Sequence, residues 1–168
     1  MDFFVCTADK KDVTEIKKIN EICLPENYSE SVYEQLYSST LVCREKNKNK
    51  IVGYLIMANL ATLDSDLEPF SREFNMKKIH TVVFSLAVLP DYRKRGIGSR
   101  LLKIACDAHK QYPIILHARK SNLAAFGLYN KFGFQLLKQS PGYYHNPEDT
   151  GLIMVYLKGK NKVLEKRL

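Results

Sequence analysis

Apolar and polar residues along the chain follow two periods, one typical of strands and one typical of helices. Short apolar runs predict seven strands, over Phe3–Thr7, Leu41–Glu45, Ile51–Leu60, Thr81–Leu89, Pro113–Ala118, Phe134–Lys138 and Leu152–Leu157. Apolar residues three or four apart predict four helices, one from an Asp9 cap to before Pro25 and others over Ser31–Tyr37, about Gly98–His109 and Asn122–Lys131. This order is mixed α/β, with central βα units.

The helices are predicted from the spacing of their apolar residues. The first has Val13, Ile16, Ile19 and Cys23 on one side, and the third has Ile97, Leu101, Ala105 and Ala108. Between the third and fourth strands, residues 61–78 are acidic and show no clear period. We expect a long connection there.

The length of 168 residues and a hydrophobic fraction of 45% suit one compact domain. We predict a single domain over residues 1–157, followed by a basic tail over residues 158–168. No apolar run approaches the roughly 20 residues that a bilayer span needs, so no membrane association is expected. The first residues lack the pattern of a signal peptide, which predicts a cytoplasmic protein.

The formal net charge of +8 favours anionic partners, such as nucleic acid or a phosphorylated cofactor. Much of the excess lies in Lys46, Lys48, Lys50 and the tail. No stacking aromatic residues accompany these lysines, which disfavours direct, sequence-specific binding of nucleic acid. The four cysteines form no CxxC pair and the four histidines lack metal spacing, so we predict buried, reduced thiols and no metal site.

A basic, glycine-containing turn lies between a predicted buried strand and a predicted helix. Its sequence is Arg93-Lys94-Arg95-Gly96-Ile97-Gly98. Gly96 and Gly98 permit positive φ and close approach of the backbone to a ligand. Convergent amides and the positive end of the helix would bind a pyrophosphate, with full charges at the rim. The alternative is an ordinary basic turn, and the βα unit that follows favours the phosphate site.

These residues resemble the coenzyme A signature R/Q-x-x-G-x-G/A of the GNAT acetyltransferase superfamily. The segment Ser121-Asn122-x-x-Ala125-x-x-x-Tyr129-x-x-x-Gly133-Phe134 resembles the second characteristic segment of the same superfamily. Three further segments resemble the catalytic subunits of protein N-terminal (N-alpha) acetyltransferases. They are Leu24-Pro25-Glu26-Asn27-Tyr28, the stretch over residues 116–122, and Gly142-Tyr143-Tyr144.

The resemblance implies a mixed sheet in which two parallel strands, here Thr81–Leu89 and Pro113–Ala118, part to admit acetyl-coenzyme A (acetyl-CoA). It implies that the backbone of Leu86, Ala87 and Val88 binds the pantetheine and the acetyl carbonyl, where amides stabilise an oxyanion. It also implies a contact between Asn122 and the pantetheine. The turn that would hold the pyrophosphate consists of Arg93, Lys94, Arg95, Gly96, Ile97, Gly98 and Ser99.

The resemblance further implies direct attack of an amine on the thioester, without an acetyl-cysteine. Tyr129 matches the tyrosine near the cofactor sulfur and is predicted to be the general acid; the alternative is a core tyrosine. His117 is one candidate base, with a satisfied core histidine as the alternative. Glu26 is the second, with a helix-end carboxylate as the alternative. Val82 stands where several relatives have a tyrosine or histidine, which leaves the base open.

The resemblance predicts a peptide groove lined by Pro25, Tyr28, Tyr143 and Tyr144, and aromatic packing under a loop is the alternative for the tyrosines. An α-amine has a pKa of about 7.7–8.0, so a sizeable fraction is neutral at cellular pH, unlike a lysine amine at about 10.4. A protein N-terminus is therefore the predicted acceptor. The open alternatives are a lysine or small-molecule amine, a weakly active CoA-binding module, and a nucleic-acid-binding domain. Family members often work with an auxiliary subunit at the ribosome.

Overall fold

A computed structural model describes residues 3–60, 80–109 and 113–157, which contain both strands and helices. The strands are β1 (Phe3–Thr7), β2 (Thr40–Glu45), β3 (Ile51–Leu60), β4 (His80–Val88), β5 (Ile114–Arg119), β6 (Gln135–His145) and β7 (Glu148–Tyr156). The helices are α1 (Val13–Cys23), α2 (Glu30–Leu36), α3 (Ile97–Ala108) and α4 (Leu123–Lys131). No helix within these ranges is long and apolar enough to cross a membrane.

The strands form one seven-stranded sheet in the order β1-β2-β3-β4-β5-β7-β6. The pairs β1–β2 and β2–β3 are antiparallel, as are β5–β7 and β6–β7. The predicted mixed α/β fold is therefore confirmed, with its seven strands and four helices. The expected parting of β4 from β5 stays a prediction.

The described residues divide into two compact units, and the first holds those within Met1–Ala58 and Val83–Ala105. Its core contains the α1 positions Val13, Ile16 and Ile19, which the helical spacing predicts. These pack with buried residues of the strands, which are Val42, Ile51, Tyr54, Ile56 and Ala87. The predicted apolar face of α1 is thus the face that the first unit buries.

The second unit holds the described residues within Asn59–Val82 and Cys106–Leu168. Its core cluster consists of Ile115, Ile153 and Val155, all at most 1% exposed. Leu137 and Leu157 pack against this cluster. Strand β5 contributes little exposed surface, as expected for a strand inside a sheet.

Several predicted boundaries are wrong, the largest errors being at β6 and β7. These strands run to His145 and from Glu148, so they form a long hairpin where short strands and a loop were expected. A 3₁₀ turn over Lys10–Asp12 separates Asp9 from the start of α1. The last residue of α3, Ala108, is exposed, because the helix buries Leu101, Leu102 and Ala105 instead.

The cysteines follow the prediction in part. All four are free thiols, and Cys43 and Cys106 are buried, whereas Cys6 and Cys23 are only half-buried. The acidic connection over residues 61–78 and the basic tail over residues 158–168 lie outside the described residues. The prediction of a single domain over residues 1–157 stays a prediction.

Candidate active site

The basic turn follows β4 and leads into α3. A 3₁₀ turn over Pro90–Tyr92 comes first, and positive φ then occurs at Lys94 (59°) and Gly96 (78°). The side chains of Arg93, Lys94 and Arg95 are exposed. Helix α3 begins at Ile97, which is 3% exposed and so fixes the start of the helix in the core.

The two glycines of the turn have different roles. A Cβ built on Gly96 would meet no other atom within 4 Å, so this side of the turn is open to a ligand. Gly98 is the second residue of α3 and does not use the positive φ that glycine permits, because the helix has negative φ there. The left-handed residue is Lys94 instead. Three exposed cations and the end of a 12-residue helix make this turn fit a pyrophosphate.

Tyr92 attaches the turn to the first unit. Its hydroxyl donates to Glu45 Oε2 at 3.3 Å, and its ring meets Phe3 edge to face. The Arg95 guanidinium lies 5.3 Å from the centre of the Tyr92 ring, within range of a cation–π interaction. These contacts hold the basic side chains beside the start of α3.

The backbone of β4 alternates between two directions. Leu89 N–H donates to Val52 O at 3.0 Å, and the Ala87 carbonyl also faces β3, 2.9 Å from where a Cβ of Gly53 would lie. Because neighbouring residues of a strand direct their amide groups to opposite sides, Leu86 and Val88 point away from β3. The predicted cofactor contacts require this direction, and the contacts themselves stay a prediction.

The Val88 carbonyl is already engaged within the first unit. It accepts a hydrogen bond from Arg93 Nε at 3.0 Å and one from the Cys23 thiol at 3.5 Å. Burial raises the pKa of the Cys23 thiol, which Arg93 only partly opposes. Cys23 therefore remains a thiol at neutral pH, which agrees with an expected mechanism without an acetyl-cysteine.

The loop between α1 and α2 carries Pro25, Glu26 and Tyr28. Pro25 is exposed, whereas Glu26 and Tyr28 are half-buried. The Tyr28 ring packs against Tyr33 and Phe84 at centroid distances of 6.2 and 6.1 Å. Burial raises the pKa of the Tyr28 phenol, and the nearby Glu26 carboxylate raises it further. The structure thus brings Glu26 and Tyr28 close together.

A buried polar cluster, which the sequence did not predict, lies beneath this loop. Asn20 on α1 is completely buried, and its Nδ2 donates to Glu26 O at 2.6 Å and to Asn27 Oδ1 at 3.0 Å. Its Oδ1 accepts from the Tyr54 hydroxyl at 2.6 Å and from Ser85 Oγ at 3.3 Å. All the bonding capacity of the carboxamide is therefore used.

In the second unit, His117 on β5 is bonded to Tyr143 on β6. His117 Nδ1 and the Tyr143 hydroxyl are 2.6 Å apart, and the rings meet edge to face at a centroid distance of 5.0 Å. This bond fits the alternative of a satisfied core histidine as well as the predicted role as a base. A hydrogen bond at Nδ1 fixes the orientation of the ring.

The placement of Tyr143 depends on an irregularity in the hairpin. The pairs Ser140–Gly151 and Tyr144–Asp149 show that β6 gains two residues over β7 in this stretch. Gly142 has a φ of 68° there, and the Tyr143 ring lies where a side chain at Gly151 would be, with atoms 2.8–2.9 Å from that Cβ position. A bulge of this kind redirects a side chain, here towards His117.

Tyr144 is held from the other side of the hairpin. The Arg119 guanidinium lies 4.3 Å from the centre of the Tyr144 ring and donates to the carbonyls of Asn146 and Pro147. The Asp149 carboxylate accepts from Ser121 Oγ at 2.6 Å. This bond and others from neighbouring amides lower the pKa of Asp149. Tyr143 and Tyr144 both belong to β6, beyond the predicted end of that strand at Lys138.

Tyr129 and Asn122 both belong to the α4 segment. Tyr129 is 7% exposed, packs on Phe134 at 5.7 Å, and has a pKa that burial raises to about 12. Asn122 is the N-cap of α4, where its Oδ1 accepts from Ala125 N at 3.1 Å. The Asn122 side chain is exposed. Its contact with the pantetheine stays a prediction.

Residues 13–134 match the model of the acetyltransferase (GNAT) family. The chain belongs to the GNAT family. It is 35% identical to an N-alpha-acetyltransferase of Sulfurisphaera tokodaii over 159 residues, covering 90% of this chain and 92% of that protein. It is 34% identical to the "N-terminal acetyltransferase complex ARD1 subunit homolog" of Dictyostelium discoideum, covering 88% and 70%.

A solved GNAT structure shares the fold. Arabidopsis thaliana NAA60 in complex with acetyl-CoA superposes with a TM-score of 0.81 at 15% identity, covering 93% of this chain and 99% of that chain. Among the described residues of this GNAT protein, no cluster of three or more histidine, cysteine or acidic side chains could hold a metal ion.

The site residues of this GNAT chain fall into two groups. The first unit holds the β4 backbone, the basic turn and the loop with Glu26, whereas the second holds His117, Tyr129, Asn122 and the tyrosine pair. Val82 on β4 is half-buried. The side chain of His80, two residues earlier, is not among those that the structure describes. Three further residues support these groups, although the sequence analysis did not single them out. They are Gly53, Gly151 and Asn20.

Proposed function

We propose that this chain transfers the acetyl group of acetyl-CoA to the N-terminal α-amine of proteins or peptides by direct attack of that amine. It is an acetyl-CoA-dependent acyltransferase of the GNAT family. The observation that carries the choice of acceptor is the 35% identity to an archaeal N-alpha-acetyltransferase over 92% of that protein.

The basic turn is the part of the chain that suits the cosubstrate. Gly96 leaves its side of the turn open, and Arg93, Lys94 and Arg95 supply exposed positive charge beside the α3 amides. These groups would hold the pyrophosphate. Acetyl-CoA supplies the acetyl group as a thioester, which an amine can attack. The amides of Leu86 and Val88 point away from β3 and would bind the pantetheine end.

Tyr129 is the proposed proton donor. A phenol with a pKa of about 12 keeps its proton across the physiological range, so it can donate to the departing sulfur. The alternative is that Tyr129 only fills the core, and its burial and its contact with Phe134 are consistent with that role. Turnover by a variant that lacks only the hydroxyl distinguishes these two roles.

Two groups are proposed for removing the proton of the amine. His117 has its ring orientation fixed by the hydrogen bond between Nδ1 and the Tyr143 hydroxyl. A neutral imidazole can accept a proton at the ring nitrogen that carries no hydrogen. Glu26 lies on the loop between α1 and α2, and its backbone carbonyl accepts a hydrogen bond from Asn20 Nδ2. An α-amine is already partly neutral at cellular pH. Either group therefore has less proton removal to perform for this acceptor than for a lysine amine.

The acceptor peptide is proposed to bind along Pro25, Tyr28, Tyr143 and Tyr144. The tyrosines combine apolar ring surface with a hydroxyl, which suits a peptide backbone. The Dictyostelium relative is named as a subunit of a complex, which supports an auxiliary subunit for this chain as well. Ribosome association and a cytoplasmic location are part of the same proposal.

The test offers acetyl-CoA and a library of peptides that each carry one internal lysine, with free or blocked N-termini, and locates the acetyl group by mass spectrometry. We expect acetylation at free N-termini only. Acetylation of lysine in blocked peptides would support a lysine acetyltransferase instead. Binding of acetyl-CoA without turnover on any peptide would support a cofactor-binding module.

A further inference from the structure

The loop between α1 and α2, which carries Glu26, is joined to β4 through the buried carboxamide of Asn20. Asn20 on α1 donates to Glu26 O and Asn27 Oδ1 on one side. On the other side it accepts from Tyr54 on β3 and Ser85 on β4. Ser85 immediately precedes Leu86, whose backbone is proposed to bind the pantetheine.

The bonding pattern of this cluster leaves little freedom to the loop. Asn20 is 0% exposed, Tyr54 is 0% and Ser85 is 6%, so water does not compete for these bonds. Ser85 Oγ also lies 2.8 Å from the Tyr54 hydroxyl oxygen, so the single Ser85 proton is shared between that oxygen and Asn20 Oδ1. A buried network in which every member is satisfied is rigid, because any displacement leaves a polar group without its partner. The carbonyl of Glu26 is therefore fixed relative to β3 and β4.

A structural role alone does not require this arrangement. A loop after a helix normally satisfies its carbonyls with water, because such loops lie at the surface. Here Pro25 and Asn27 are exposed, yet the backbone between them reaches inward to a carboxamide at the centre of the first unit. The network thus holds in place Glu26, a candidate base, and Tyr28, which is proposed to line the peptide groove.

We propose that Asn20 is a positioning residue, which holds the Glu26–Tyr28 segment in register with β4 so that the acceptor amine meets the acetyl group. This inference rests on the proposed function. It assigns Asn20 no contact with either substrate. The loss of Asn20 therefore affects use of the peptide and leaves binding of acetyl-CoA at the basic turn intact.

The experiment compares Asn20→Ala with two matched variants. Asn27→Ala removes one of the two bonds to the loop from an exposed side chain, so folding is preserved. Thr40→Val is the control, because it removes a different buried hydroxyl of the first unit, which is bonded to Leu36 O at 2.8 Å. Peptide kinetics and acetyl-CoA affinity are measured for all three, with hydrogen exchange of residues 24–28.

We expect kcat/KM for the peptide to fall about tenfold in Asn20→Ala and about threefold in Asn27→Ala, since a lost hydrogen bond corresponds to a change of this order. Acetyl-CoA affinity should stay within twofold, and residues 24–28 should exchange faster in Asn20→Ala only. Thr40→Val should change none of these.

Equal losses in Asn20→Ala and Thr40→Val, or unchanged exchange at residues 24–28, would overturn the positioning role. If Asn20→Ala does not fold, Asn27→Ala decides alone, and an unchanged kcat/KM in that variant overturns the proposal. A wild-type enzyme that acetylates no free N-terminus contradicts the proposed function, whereas the exchange experiment still decides the role of Asn20.

Discussion

The phenol oxygen of Tyr143 lies 2.6 Å from Nδ1 of His117, so one residue proposed for the peptide groove also holds the histidine proposed for proton transfer. The two residues come from different strands, β5 and β6, which pair with β7 on either side. Gly151 of β7 lies under the Tyr143 ring. The absence of a side chain at Gly151 therefore leaves room for the ring that holds His117.

Tyr143→Phe should lower kcat/KM for a peptide acceptor by about tenfold, because it removes the hydroxyl that fixes His117 and leaves the ring in place. Losing a hydrogen bond of about 1.4 kcal/mol corresponds to a change of this size. Steady-state kinetics check the rate, and calorimetry with acetyl-CoA checks that cofactor affinity is kept. Unchanged kinetics would show that the bond has no part in turnover.

Gly151→Ala should also lower kcat/KM, because its Cβ would lie 2.8–2.9 Å from three Tyr143 atoms and so displace the ring. Overpacking of this kind costs about 1–3 kcal/mol. Gly127→Ala is the matched control, since Gly127 is an exposed glycine of α4 where an added Cβ meets nothing within 4 Å. That variant should retain full activity, and equal losses in the two would contradict this role of Gly151.

Tyr129→Phe should lower kcat by a factor of about 10²–10⁴, the range for loss of a general acid, with little change in acetyl-CoA affinity. The ring would still pack on Phe134, so the fold should persist. Single-turnover kinetics at saturating peptide measure the chemical step directly. A normal rate would leave Tyr129 as a core residue only.

Stability should fall at alkaline pH, and Tyr129 should account for part of the fall. An unfolded tyrosine ionises near pH 10, whereas burial raises the pKa of folded Tyr129 to about 12. Stability that is fully present below pH 10 is therefore lost as the pH rises towards 12, by about 3 kcal/mol for this group. Urea unfolding between pH 9 and 12 should show a shallower decline in Tyr129→Phe. Parallel curves for the two proteins would exclude this contribution.

Gly96→Ala should weaken acetyl-CoA binding by about tenfold, because φ of 78° disfavours a side chain by about 1–2 kcal/mol and a Cβ would enter the open side of the turn. Gly142→Ala is the control, since Gly142 has a φ of 68° and also meets nothing within 4 Å. Both variants should lose stability, but only Gly96→Ala should lose cofactor affinity. Calorimetric titration distinguishes them.

The fold and the basic turn are predictable because their signals are local. The spacing of Val13, Ile16 and Ile19 specifies the face that α1 buries, and Pro90 together with Gly96 marks the break between β4 and α3. The sequence pattern does not distinguish a glycine that adopts positive φ, such as Gly96, from one in the first turn of a helix, such as Gly98. Only the backbone angles separate these two uses.

The parts of the site that escaped prediction depend on contacts between distant residues. Asn20 lies on the apolar side of α1, four residues after Ile16, but nothing nearby in the sequence indicates that it is bonded to Tyr54 and Ser85. Tyr143 reaches His117 only because β6 gains two residues over β7. Strand register is set by pairing across the sheet, which a single chain sequence does not report.

Gly53 shows how a position without a side chain can constrain chemistry elsewhere. Ala87 O would lie 2.9 Å from any Cβ at this site, so even one methyl group would press on the strand whose amides are proposed to bind the pantetheine end of acetyl-CoA. A saturation mutagenesis screen should therefore find intolerance at a residue that touches neither reactant. Ranking positions by the area their own side chains bury would overlook it, and a designer altering the acceptor range should leave it untouched.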